Sequence, residues 1–316
     1  MRRLTALSLV LLSAALPASA WHDAGHMAIA LIAYNDLGSG AKPVADLLRR
    51  HPDYAAWMAM KPARIDEDRW LFMRAAVWPD DIRSNNHPSH KYHQAAWHYA
   101  ARFHMNPPSF AEPDKEPGDH IEDVVPKLTA VLKSGAADEE KARAVCWLFH
   151  LVGDIHNPLH AGSMVGEKWP TGDRGGNEFW IRTAGTAVRL HTFWDGLFNQ
   201  ETLLASSAGK RTTGPADVDF DKVSSLAQAL AAQFERRALP ELQVGEFGFW
   251  VQTSLRLAVK AAYLDYKLPG SPTQAQAEDA PADYAANCRK LAGQRAAVAG
   301  YRLADVMRAA GVVKAP

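Results

Sequence analysis

The sequence predicts a mainly α protein, a single helical domain carrying one small β-hairpin. Three observations predict it: apolar residues recur at helical spacing in six long segments, alternation around a turn occurs once, and no repeat, low-complexity tail or linker divides the chain.

The first segment runs from Asp23 to Leu37, where Met27, Ala30, Leu31 and Tyr34 have the i, i+3, i+4, i+7 spacing of one helix face. Ile121 to Leu132 repeats the pattern across Pro126, which removes one interior helix hydrogen bond. Lys141 to Ile155 contains the apolar run Ala144-Val145-Cys146-Trp147-Leu148-Phe149 and reads as buried helix. Val218 to Leu239 aligns Leu226, Leu230 and Phe234, Phe247 to Tyr266 continues in the same way, and Tyr284 to Ala310 aligns Ala299, Leu303, Val306 and Ala310. The hairpin is predicted from Asn177 to Arg182, a Thr183-Ala184-Gly185-Thr186 turn, and Ala187 to Leu190. Proline and glycine place loops at 106–118, 166–176 and 269–279.

The first twenty residues stand apart. Arg2 and Arg3 precede a mostly apolar run from Leu4 to Leu16, and Ala18-Ser19-Ala20 supplies the small residues of a signal-peptidase site. The run is too short to span a membrane, so the expectation is a secreted or periplasmic protein with no stable membrane anchor, residues 1–20 being the signal peptide and 21–316 the folded domain. Cleavage after Ala20 makes Trp21 the N-terminus. Removing Arg2 and Arg3 from the 35 basic residues leaves two fewer than the 35 acidic ones, a balance that gives no sign of a broad basic nucleic-acid surface. Attraction to a polyanion must then be local, for example through bound cations. Cys146 and Cys288 can pair in an oxidising compartment, but both sit in apolar helical patterns where free buried thiols are equally at home.

His150-Leu151-Val152-Gly153-Asp154-Ile155-His156-Asn157-Pro158-Leu159-His160 packs three histidines and a carboxylate into eleven residues. Residues four apart on a helix lie one above the other, so His150 and Asp154 can reach one point in space. That is metal-ligand geometry; the alternative is a helix-end histidine cluster with a local ion pair. Pro158 turns the chain and lets His160 face a second centre. His191 and Asp195 repeat the four-residue spacing, and further candidates are His26 near the new N-terminus, Asp80 and Asp81 in Trp78-Pro79-Asp80-Asp81-Ile82-Arg83, and His98 in Trp97-His98-Tyr99.

With Gly175-Gly176-Asn177 and the last helix around Ala299-Gly300-Tyr301-Arg302-Leu303-Ala304, these stretches resemble the single-strand-specific, zinc-dependent class I nucleases of the S-one/P-one type, which share a mostly helical fold with bacterial zinc-dependent phospholipase C. The resemblance implies three Zn2+ ions. Asp80, His98, His150 and Asp154 correspond to the ligands of one zinc, and His160, His191 and Asp195 to those of a second. His26, a bridging Asp154, and the amino nitrogen and carbonyl oxygen of Trp21 correspond to those of the third. The Trp21 amine exists only after cleavage at Ala20, so removal of the leader becomes part of making the site.

Imidazole and carboxylate ligands suit zinc, and three dications outweigh the three ligand carboxylates. The resemblance implies hydrolysis of single-stranded DNA and RNA by a zinc-activated water to 5′-phosphate products, with 3′-nucleotides as further substrates and no protein partner. Arg83 resembles the arginine that supports the phosphoryl group, Tyr99 the aromatic that stacks on an unpaired base, and Asn177 a cleft residue. Ala101 departs from the pattern, since many members carry aspartate three residues after the position of His98, and this leaves base preference open. His156 fits no ligand position, and His22, His51, His87, His90, His93, His104 and His120 are read as surface, core or supporting residues. Two other readings compete: a zinc-dependent phospholipase C, which needs an apolar or choline-accepting cleft, and a non-catalytic secreted zinc-binding helical protein.

Overall fold

The computed structural model describes residues 21–199 and 218–313; the expected signal peptide lies outside them. The fold is mainly α. Ten helices of the described residues run in the order α1 (Asp23–Leu37), α2 (Ala41–Leu48), α3 (Tyr54–Ala59), α4 (Glu67–Asp81), α5 (Ile121–Lys133), α6 (Asp138–Asp154), α7 (Leu190–Asp195), α8 (Phe220–Gln233), α9 (Phe247–Leu257) and α10 (Tyr284–Ala309). Strands β1 (Phe103–Asn106) and β2 (Ser163–Gly166) pair in parallel, while β3 (Trp180–Thr183) lies between antiparallel β4 (Thr186–Arg189) and parallel β5 (Glu278–Asp279).

Helix α1 is the axis of the core. Every residue from Asp23 to Ala33 is buried, so the apolar spacing that predicts the helix marks no single inward face. It packs against α4, α6, α8 and α10. The approach to α10 is closest at Gly300, where an added Cβ would lie 2.6 Å from Ile32 Cβ and 2.9 Å from the Ile29 carbonyl oxygen. Helix α4, which lies outside the segments predicted from spacing, is likewise buried continuously from Trp70 to Asp80. The Asp66 side chain accepts the Arg69 amide hydrogen at 3.2 Å, a cap that contributes about 1 kcal/mol. Helix α5 continues through Pro126, its first turn fixed by reciprocal bonds between His120 and Asp123. Helix α6 opens on Asp138, Glu139 and Glu140, which complement its positive end, and is then buried from Ala144 to Asp154. Cys146 and Cys288 are both buried free thiols, so they do not form a disulfide.

Two differences from the expected elements bear on the site. The predicted helix from Phe247 to Tyr266 ends early: α9 stops at Leu257, a π-helical turn covers Ala258–Ala262, and Leu264, Asp265 and Tyr266 are all left-handed, with φ of 51, 52 and 65°. This turn leaves Tyr263 fully buried with its hydroxyl donating to Asp173 Oδ2 at 2.5 Å. Asp173 Oδ1 in turn accepts the Met164 amide at 2.9 Å and the Ser163 hydroxyl at 3.1 Å, tying the glycine-rich loop to β2. The hairpin forms as expected but more tightly. Only Ala184 and Gly185 lie between the strands, both with positive φ, the two-residue turn that matches strand twist.

Burial pushes the Asp173 carboxyl up to about 6, against the hydrogen bonds that hold its charged form. Because its folded pKa is raised, its stabilising contribution is complete below about pH 4 and is lost as pH rises through 6. Asp173→Asn, which does not titrate, is therefore expected to gain on the wild type by about 3 kcal/mol between pH 4 and 7, at 1.36 kcal/mol per pKa unit. Urea titrations at the two pH values check this, and a constant difference would refute it. Gly300→Ala is expected to cost about 1 to 3 kcal/mol by forcing α1 and α10 apart, measurable as a lower urea midpoint.

Candidate metal centre and cleft

Six parts of the fold deliver the candidate ligands to one buried place. Helix α1 supplies His26 and α4 supplies Asp80, while α6 supplies His150 and Asp154 from its last turn. His98 closes the short turn Ala95–His98, His160 closes the turn Pro158–His160, and His191 and Asp195 lie on α7. The two turns are laced together. His160 Nδ1 contacts the His98 carbonyl at 2.6 Å, the Ala100 amide donates to the His160 carbonyl at 2.8 Å, and the Ser163 amide donates to the Arg102 carbonyl at 2.9 Å before β1 and β2 pair.

The side chains fall into three groups able to hold a metal ion: His26, His150 and Asp154; Asp80, His98 and His150; and His160, His191 and Asp195. All are buried. His150 belongs to two groups, and its ring stacks on that of His26 with centroids 4.0 Å apart. Two ligands held tetrahedrally at about 2.1 Å from zinc lie about 3.4 Å from each other. The observed separations match that spacing. His26 Nε2 is 3.2 Å from Asp154 Oδ1, and His150 Nε2 is 3.3 Å from Asp154 Oδ2 and 3.6 Å from Asp80 Oδ1. His191 Nε2 is 3.4 Å from Asp195 Oδ2 and 3.1 Å from His160 Nε2. His98 Nδ1 lies 3.0 Å from both Asp154 Oδ2 and His150 Nε2.

Protonation chemistry also fits a cation. Nδ1 of His150, His160 and His191 points at the carbonyl oxygens of Ala76, His98 and Gly175 at 2.8, 2.6 and 2.7 Å. Each Nδ1–H is thereby committed, leaving Nε2 as a lone pair turned into the cluster. Burial holds His26, His98 and His160 well below the usual imidazole range, reinforced by neighbouring His150, Arg83 and His191 respectively. Burial, followed by the charges of Asp80 and Asp195, pushes the Asp154 carboxyl well up. Asp154 Oδ1 and both ring nitrogens of His26 are buried with no hydrogen bond. Unprotonated imidazoles around a carboxylate that water cannot reach are what a divalent cation satisfies.

Glycine makes this packing possible. Gly175 and Gly176 both have positive φ; an added Cβ would lie 2.4 Å from the Leu159 carbonyl oxygen at Gly175 and 3.2 Å from the His191 amide at Gly176. A Cβ at Gly153 would lie 2.8 Å from His26 Nδ1. The Gly153 carbonyl accepts the indole hydrogen of Trp21 at 3.1 Å, and the His22 amide donates to the Asp195 carbonyl at 3.1 Å, so the start of the described chain is pinned beside the cluster.

The cluster reaches a cleft of about 940 Å³ through His98, His160 and His191, and Arg83, Tyr99 and Asn177 also line it. Arg83 Nε is 2.9 Å from Asp80 Oδ1. Tyr99 is half-buried, and its hydroxyl donates to Glu116, a cleft carboxylate absent from the sequence reading. Ala101 lines the same cleft. The Asn177 side chain donates to the Arg174 carbonyl at 2.9 Å, so part of its function is to hold the turn. His156 stays outside the three groups, with Nδ1 2.7 Å from the Val152 carbonyl and Nε2 2.9 Å from Arg302 Nη1.

The family model described as S1/P1 Nuclease matches residues 21–310. The chain belongs to this family. Among curated proteins, Endonuclease 1 of Arabidopsis thaliana is 25% identical over 210 residues, 61% of this chain and 59% of that protein. Endonuclease 4 of the same plant is 37% identical over 60 residues, 19% of this chain and 18% of that protein. The chain thus matches less than two thirds of the length of either relative. The expected family is borne out, as is the mainly α fold, and no helix of the described residues is long and apolar enough to cross a membrane.

Asp154→Asn is expected to lower bound metal by more than any other single ligand change, because Asp154 stands within 4.0 Å of His26, His98, His150 and His160. His156→Ala is expected to leave metal content unchanged and to cost about 1 to 3 kcal/mol through the buried partners it abandons. Metal analysis beside thermal denataturation checks both, and the reverse ranking would overturn the assignment of the cluster.

Proposed function

We propose that this chain is a secreted or periplasmic endonuclease with three Zn2+ ions, cleaving single-stranded DNA and RNA to 5′-phosphate products and acting also as a 3′-nucleotidase. The observation that carries the reading is three adjoining ligand groups at zinc spacing, two of which reach one cleft through His98, His160 and His191. Asp80, His98, His150 and Asp154 would hold one ion and His160, His191 and Asp195 the second. His26, Asp154 and the amine and carbonyl of Trp21 would hold the third once residues 1–20 are removed, leaving 21–316 as one domain. Support for that last set comes from the burial of Trp21 and its bond to Gly153, directly before Asp154.

Bound zinc supplies Lewis acidity and lowers the pKa of a coordinated water to about 7. The chain's own residues do the rest. Arg83, held by Asp80, presents a guanidinium to the phosphoryl oxygens, where added negative charge in the transition state strengthens the contact. Tyr99, fixed by Glu116 at its hydroxyl, offers a ring against which an unpaired base can stack, and a base locked in a duplex cannot reach it. Asn177 lines the same cleft from a turn that its side chain holds through the Arg174 carbonyl. Ala101 offers a base no polar group at its point of the cleft.

The test is zinc stoichiometry of protein beginning at Trp21, together with the products from a single-stranded oligonucleotide. Three zinc ions and 5′-phosphate ends are expected. Release of phosphocholine from phosphatidylcholine without nucleotide products would point to a phospholipase, and one tightly enclosed zinc with no hydrolysis to a structural protein. Protein carrying one extra residue before Trp21 is expected to lose one zinc and most activity; three zincs and full activity in that form would refute the role of the amine.

A further inference from the structure

Four arginines line the cleft: Arg83, Arg102, Arg174 and Arg189. Three are matched by carboxylates. Arg83 Nε is 2.9 Å from Asp80, Arg102 Nε donates to Glu122 at 2.8 Å, and Arg174 Nη1 is 4.0 Å from Glu178. Arg189 differs. Among the described residues it has no ion pair and no hydrogen bond, and its Nε is buried.

What holds Arg189 is an aromatic ring. Its guanidinium carbon lies 5.2 Å from the ring centroid of Trp180, its directly opposed partner in the β3–β4 register. A guanidinium over an indole face keeps its charge and its remaining donors while its plane is fixed. The Trp180 backbone is held on its other side by reciprocal bonds with Ser271, so the platform is part of the sheet and not of a loop. Arg189 also stands two residues before His191, on the wall that leads to the His160, His191 and Asp195 group. An oriented, half-buried arginine with no counter-ion, opening on a cleft, is a receptor for a planar or tetrahedral oxyanion.

We propose that Arg189 and Trp180 form a phosphate subsite for the nucleic-acid strand, taking the phosphodiester that adjoins the scissile one. Arg189 makes the contact and Trp180 is its positioning residue. The proposal rests on the nuclease reading and deepens it: an oligonucleotide reaches this subsite, whereas a 3′-mononucleotide, with no second phosphate, does not. A free phosphate offers the same chemistry, so the experiment separates the two.

The experiment compares zinc-loaded wild type, Arg189→Gln, Trp180→Ala and Trp180→Phe on a single-stranded octanucleotide and on a 3′-mononucleotide over a range of salt. Arg189→Gln is expected to lower kcat/KM on the octanucleotide about 10- to 100-fold, mainly through KM, leaving mononucleotide hydrolysis unchanged. Its logarithmic salt slope should be shallower by about 0.7, the value for one phosphate contact on a single strand. Trp180→Ala should lose about 2- to 5-fold on the octanucleotide, and Trp180→Phe should recover most of that. Equal losses on both substrates, or no loss on either, would overturn the subsite. Inhibition by inorganic phosphate that Arg189→Gln abolishes, with length dependence unchanged, would assign the site to free phosphate and overturn the strand assignment. If the wild type hydrolyses neither substrate, the nuclease reading itself fails; octanucleotide binding equal in wild type and Arg189→Gln would then overturn the subsite as well.

Discussion

Asp154 sets the terms for the rest of the molecule. It is a carboxylate with no access to water, near two further carboxylates, and surrounded by imidazoles, of which burial keeps His26, His98 and His160 unprotonated. An isolated buried charge of this kind is strongly destabilising, and pairing it is the condition for keeping it inside. The surrounding architecture serves that condition. Helices α1, α4 and α6 bring side chains from three directions, while carbonyl oxygens from Ala76, His98 and Gly175 orient the rings. A cation at this place removes the repulsion among lone pairs that the fold imposes.

Membership of the S1/P1 nuclease family and the cluster's geometry are separate observations on the same stretch of chain. The match covers nearly all of the described chain, and the three ligand groups draw on elements from α1 to α7. Within this arrangement the cleft walls add contacts of their own. Glu116 takes the Tyr99 hydroxyl, Ala101 presents no polar group, and Arg189 lies across Trp180.

The candidate ligand groups were legible because His150 and Asp154, and His191 and Asp195, carry their spacing locally, and because the resemblance joined them to His26, Asp80, His98 and His160. Helix α1 was legible from its apolar positions even though Asp23 to Ala33 shows no outward face. Helix α4 was not predicted: with Trp70 to Asp80 all buried, it lacks the contrast between faces on which periodicity depends. Strands β1 and β2 are four residues each, and their partners lie 60 residues apart in the chain, beyond the reach of a local pattern. The early end of α9 is set by left-handed backbone at Leu264, Asp265 and Tyr266, with no glycine to announce it. Arg189 was likewise silent, because the absence of a counter-ion among the described residues is a tertiary property.

The three ligand groups are not equally open. His26, His150 and Asp154 are entirely enclosed, whereas His160 and His191 reach the cleft wall. In kinetic terms this would set a hierarchy of residence times for bound ions. An ion among the enclosed side chains would leave only when the packing around α1 and α6 opened, so its exchange would be tied to breathing of the core, while an ion at the cleft would exchange by way of solvent. Such a centre would empty from the cleft inward, with the same helices that stabilise the protein acting as the gate for an innermost ion.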